Sequence, residues 1–242
     1  VVAEEAAARG MLVFAPSWIP PDPFPLGYDD IQDLAAAGRC AVAFAQEKAP
    51  EFGGDPRRTA VHGFSAGTGP AHSVAIDPPV TPTPGCVSDL VPSRVSAVAL
   101  SDGEYFFHSA PFDGAFVANP VEMQDRVGAW IDHDRWPPDL GAEFYLWAAE
   151  EGTAPRLLDD TEDGAGWLAL RDPDGTIRAD LGRLGRVDDG IVDDADSAAL
   201  LSDRLASAGL GVEFETFAGG HRTDDKAGAI VDEIERMLGK RS

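Results

Sequence analysis

Gly63-Phe64-Ser65-Ala66-Gly67 is the segment of this 242-residue chain whose residue types and spacing most directly offer chemistry. A serine in a G-x-S-x-G run, where a strand gives way to a helix, marks a sharp strand-to-helix turn. Such a turn forces strained backbone angles on the serine, so small neighbours are needed, and it lifts the hydroxyl above the sheet edge. It also aims the start of the next helix at developing negative charge, where the Ala66 N–H can stabilise an oxyanion. Ser65 is the candidate nucleophile and Ala66 the candidate oxyanion donor.

A serine hydroxyl attacks poorly until a neighbouring base takes its proton. Of the five histidines, His221 is best placed: it follows an apolar strand and Gly219-Gly220, and a helix follows within a few residues. In a parallel sheet the loops at the C-terminal ends of the strands share one edge, so such a histidine can reach Ser65. His62 reads as a core or pocket-wall residue and His72 as structural, while His108 and His133 fall in a stretch where they could line a pocket. The third group must be a carboxylate that holds the imidazole in the correct tautomer. Asp189 is the first choice and Asp188 its immediate competitor; Glu150 and Glu151 are the second alternative and Asp102 the third.

Bringing these groups together from distant parts of the chain demands a scaffold that aligns strand ends. An Ala- and Glu-rich helix runs up to Gly10, followed by a short apolar strand, Met11 to Ala15, and a proline-rich loop from Ser17 to Gly27. A helix from about Ile31 to Lys48, a strand from Thr59 to Phe64 and a helix beginning near Ala66 come next. Further strands are expected at Val95 to Leu100, Glu143 to Ala149 and Gly211 to Phe217, and helices at Ser197 to Ala208 and Lys226 to Leu238. This alternation predicts an α/β fold, a mainly parallel sheet with helices on both faces. Residues 102–141 and 151–187 do not fit it and are expected to be insertions above the sheet of one domain spanning 1–242.

Composition narrows the function classes. Apolar residues make up 44% of the chain, enough to bury an ordinary core, and no run of 18 apolar residues appears, so no membrane association is expected. Against 19 basic residues stand 42 acidic ones, a net charge of -23, which repels phosphate backbones and argues against nucleic acid as a partner. Cys40 and Cys86 rule out a disulfide-dense scaffold and a four-cysteine zinc site; they could pair, but their spacing does not decide it. No metal-ligand spacing stands out, and no cofactor is expected. Compartment and oligomeric state are not legible from these residues.

The motifs together resemble the α/β-hydrolase esterases, and more narrowly the carboxylesterase and feruloyl-esterase-like branch related to acyl-peptide hydrolases. The resemblance lies in Glu51-Phe-Gly-Gly-Asp-Pro-Arg57 ahead of Gly63-Phe-Ser-Ala-Gly67, in Asp189-Gly-Ile-Val192, and in Phe217-Ala-Gly-Gly-His221. The order Ser65, Asp189, His221 is also that of α/β-hydrolases. The resemblance implies a serine hydrolase that cleaves small-molecule carboxylic esters through an acyl-enzyme on Ser65. A peptidase or lactonase of the same fold, or a catalytically silent relative used for binding, are the alternatives. Enzymes of this kind carry a His-Gly-Gly type oxyanion loop before the helix with which this sequence starts. The first strands and that loop are therefore expected to be absent, with the Ser17–Trp18 backbone a candidate for the second oxyanion donor.

Overall fold

Four apolar runs pair into one sheet. In a computed structural model of the chain, the described residues are 1–17, 28–77, 79–103, 141–150, 156–157, 159–160, 166–169, 183–187, 191–192, 194–220, 223 and 225–239. The main elements before the sheet's third strand are helix α1 (Val2–Ala8), helix α2 (Tyr28–Lys48), strand β1 (Ala60–Phe64), helix α3 (Thr68–Ile76) and strand β2 (Ala97–Ser101). Strand β3 (Glu143–Ala149) is followed by the short strands β4 (Arg156–Leu157), β5 (Asp159–Asp160), β6 (Gly166–Ala169), β7 (Arg183–Val187) and β8 (Ile191–Val192). Helix α4 (Asp194–Ser207), strand β9 (Gly211–Phe217) and helix α5 (Ala227–Gly239) complete the series.

The main sheet has the order β1-β2-β3-β9, and every pair in it is parallel. Side chains alternate between its faces because successive residues of a strand point to opposite sides. Val98 and Leu100 of β2, with Phe144, Leu146 and Ala148 of β3, meet Val42 of α2, Val74 of α3, and Leu201 and Leu205 of α4. Ala97, Ala99, Tyr145, Trp147 and Ala149 point the other way, toward Ile230, Ile234 and Met237 of α5, with Val2 of α1 at the margin. Both faces are thus covered, and each fully buried leucine or isoleucine in these layers contributes about 1.5–3 kcal/mol. Arg9, just past α1, ties that helix to α5 through Asp232, Glu235 and the Gly228 carbonyl.

Most expected elements lie within a few residues of their observed bounds. The expected strand at Met11 to Ala15 does not form: 11–17 have no ladder partner among the described residues, and Leu12 is 41% exposed. Its apolar character serves side-chain packing instead. Met11 joins the α5-side core, Leu12 lies against the Gly54 turn, and Phe14 meets Phe44 edge-on at 5.9 Å. Within 151–187 the sequence pattern marked no strands, yet β5, β6 and β7 form a three-stranded antiparallel sheet, and β4 pairs antiparallel with β8. Cys40 of α2 and Cys86 form a disulfide with a Cα–Cα separation of 5.5 Å, which resolves the question their spacing left open.

Candidate active site

The strand preceding Ser65 ends in ordinary extended geometry, with Phe64 at φ -126° and ψ 136°. Ser65 then takes φ 53°, one of two non-glycine residues with positive φ among those described. The left-handed region costs an L-residue about 1–2 kcal/mol, so the surroundings must hold the serine there. Part of that hold is visible. Ser65 to Gly67 form a 3₁₀ turn leading into α3, and the buried Thr68 hydroxyl donates to the Ser65 carbonyl at 2.7 Å.

Gly63 is dictated by close approach. A Cβ there would lie 2.4 Å from the Gly67 carbonyl oxygen and 2.7 Å from the Thr68 Cα. Gly67 is different: it has φ -70°, and a Cβ on it would meet nothing within 4 Å. The expectation that small neighbours are needed thus has its steric reason at Gly63. Ala66 is exposed and follows the serine directly at the mouth of α3, whose N-terminus carries partial positive charge.

The parallel sheet brings other candidates to the same edge. Ladder partners Phe64, Ser101 and Trp147 are level, so the chain leaves β1 and β2 at the same height, at Ser65 and Asp102. Strand β3 continues two residues further, to Ala149, which is level with Phe217 of β9. Glu150 follows, exposed, its N–H donating to the Phe217 carbonyl and its carboxylate accepting from the Thr216 hydroxyl at 3.1 Å. Asp102 is 1% exposed, also has φ 53°, and its Oδ1 accepts the Ala149 N–H at 2.9 Å.

Beyond Phe217 the chain turns at Gly219, whose φ of 121° requires glycine, on its way to position 221. His221, Asp188, Asp189 and Glu151 lie outside the described residues, as do His108, His133 and Trp18. Ser65, Ala66, Asp102 and Glu150 are thus the candidates whose positions can be compared directly.

His72 is packed inside, and His62 is partly buried. His62 Nε2 stands 3.1 Å from the Ser101 hydroxyl, a contact between β1 and β2 just below the serine turn. Burial, and secondarily the positive N-terminal amine, pushes its pKa down to about 4. His72, 3% exposed in α3, meets Phe144 edge-on, and burial lowers its pKa to about 4 as well. Both imidazoles are neutral near pH 7. No group of three or more His, Cys, Asp or Glu side chains able to hold a metal occurs among the described residues.

Of two further features, one has a faint sequence signal and the other none. Asp102-Gly103 after a strand marks a turn, but not that a Cβ on Gly103 would fall 2.3 Å from the Thr68 hydroxyl oxygen. Thr68 itself, one residue past the motif, had no signal at all.

The fold is similar to that of solved structures. Thermogutta terrifontis esterase 2 phosphonylated by cyclosarin superposes with a TM-score of 0.52 at 12% sequence identity, over 88% of this chain and 65% of that one. The same esterase phosphorylated by paraoxon gives 0.50 at 14% identity, over 89% and 64%. The chain has the α/β-hydrolase fold. It spans just under two thirds of the length of that esterase. No family model matches the sequence, and no curated protein matches it. Within this fold, Ser65 occupies the turn after β1, at one end of the strand order among the described residues; residues 188–189 follow β7, and residue 221 follows β9.

Proposed function

We propose that the chain is a serine hydrolase that cleaves carboxylic esters. The observation that carries this reading is Ser65 at φ 53° in a G-x-S-x-G turn between a parallel strand and a helix. A non-glycine residue held in a strained conformation at a sheet's C-terminal edge is a recurrent sign of a functional group presented to a ligand. The described esterase likeness supports the scaffold for this chemistry.

In the proposed reaction the Ser65 hydroxyl attacks the ester carbonyl carbon while His221 takes its proton. The carbonyl oxygen becomes an oxyanion facing the Ala66 N–H. Collapse expels the alcohol, which receives the proton from His221 and leaves an acyl group on Ser65. Water, deprotonated by the same imidazole, then releases the carboxylic acid and restores the hydroxyl. Asp189 is assigned to orient His221, ahead of Asp188, Glu150 and Asp102. The substrate is a small-molecule ester, and the carboxylesterase and feruloyl-esterase-like branch is the proposed relationship.

Hydrolysis of short- and medium-chain p-nitrophenyl esters by the parent and by Ser65→Ala tests the reading. Turnover that disappears in the variant is expected. Turnover surviving in Ser65→Ala would remove Ser65 from the mechanism, and no turnover from a folded parent would favour a silent relative used for binding.

A further inference from the structure

We propose that Asp102 is a positioning residue of this site: its carboxylate replaces a main-chain acceptor in the sheet and so fixes the Ser65 turn against the end of β3. The proposal rests on the esterase reading above only for its catalytic consequence.

The geometry starts from the ladder. In a parallel pair, one residue donates its N–H to the carbonyl on one side of its partner and accepts, through its carbonyl, the N–H on the other side. Ser101 is level with Trp147, so Asp102 is the next step, opposite Ala148. Its N–H does donate to the Trp147 carbonyl, at 2.6 Å. The matching acceptor for the Ala149 N–H would be the Asp102 carbonyl. Instead, Asp102 turns into the left-handed region, and its side-chain Oδ1 accepts that N–H at 2.9 Å. A buried N–H left without an acceptor costs about 1–3 kcal/mol, so the carboxylate lets β2 leave the sheet here without that loss. Strand β3 runs on to Ala149 beside β9.

The chain that leaves goes straight to the serine turn. Gly103 lies so close to Thr68 that a Cβ on it would be within 2.3–2.7 Å of three Thr68 side-chain atoms. Thr68, 1% exposed, donates its hydroxyl to the Ser65 carbonyl. A continuous series of contacts therefore joins Ala149, Asp102, Gly103, Thr68 and Ser65. Ala149 is the last residue of β3 and is level with Phe217, the last residue of β9. One side chain thus sets the serine turn and the end of β3 in a common frame, at the edge of the sheet where the strands' C-terminal ends lie.

Two substitutions separate the parts of this role. Asp102→Asn keeps both tolerance of positive φ and a carbonyl oxygen able to accept the Ala149 N–H. Asp102→Gly keeps the backbone conformation and removes the acceptor. Amide hydrogen exchange at Ala149 and across the Ser65–Thr68 turn reads the contact series directly, and the rate at which a fluorophosphonate labels Ser65 reads its catalytic consequence.

Asp102→Gly is expected to lose protection at both places and to label roughly ten- to a hundredfold more slowly, while Asp102→Asn stays within about threefold of the parent. Unchanged protection in Asp102→Gly would overturn the proposal. So would a loss near 10⁴-fold in Asp102→Asn with protection intact, the result expected of the triad carboxylate itself. If the parent is not labelled at all, the esterase reading fails, and the exchange pattern still decides the role of Asp102.

Discussion

Ser65 and Asp102 share φ 53° at adjacent strand ends, and different neighbours hold each of them there. At Ser65 the tightest neighbour is backbone, because Gly63 faces the Gly67 carbonyl with no room for a methyl group. Gly63→Ala is therefore expected to destabilise the fold by about 2–3 kcal/mol, since the blocking atoms belong to the main chain and cannot swing aside. Gly67→Ala meets nothing and has helical φ, so it is expected to be neutral or to stabilise by about 0.5–1 kcal/mol. Urea unfolding of the two variants checks both; equal losses would contradict this account of the turn.

His72 provides a second test at this scale. Its folded pKa of about 4 lies below the unfolded value near 6.5, so the unfolded chain takes up the proton first. The stability linked to His72 is present above pH 6.5 and is lost as pH falls toward 4, by about 3 kcal/mol. His72→Asn, which does not titrate in this range, is expected to flatten the fall in unfolding free energy between pH 6.5 and 4.5. An unchanged slope would show that His72 is not buried as a neutral ring.

Among the elements, α2 and α3 bear most directly on the site. Their axes approach closely at Gly38, where a Cβ would stand 3.2 Å from the Pro70 carbonyl oxygen, and the Cys40–Cys86 disulfide anchors α2 two residues further on. The bond closes a loop with a sequence separation of 46, which in the chain-entropy view contributes about 4 kcal/mol. Replacing both cysteines by serine is expected to lower the melting temperature by roughly 8–16 °C. A fall of only a degree or two would mean that α2 is held by packing alone.

The legibility of the elements follows from how local their causes are. β3 and β9 could be bounded from sequence because each is an apolar or alternating run delimited by glycine or by charge. The Met11–Ala15 run has the same local character, but a strand also needs a partner, and pairing is not a local property. The two-residue strands β4, β5 and β8 are too short to show a period. The serine turn was legible because its geometry demands particular residues at fixed spacing. The role of Asp102 was not, since it depends on the register of β2 against β3.

For the whole molecule, the net charge of -23 is the dominant property outside the site. So much like charge opposes compaction, and salt screens it over a Debye length of about 10 Å at 0.1 M. Raising sodium chloride from 10 mM to 500 mM is expected to increase the melting temperature. A decrease would show that ion pairs such as those of Arg9 with Glu5 and Glu235 outweigh the general repulsion.

The same charge disfavours polyanionic substrates. The central claim, that Ser65 is an activated nucleophile on this scaffold, is tested most directly by treating the folded chain with a fluorophosphonate and locating the adduct by peptide mass spectrometry. A single adduct on Ser65, lost on prior unfolding and absent from His221→Ala, is the expected result. An unmodified Ser65 in the folded parent, or labelling that survives in His221→Ala at the parent's rate, would contradict it.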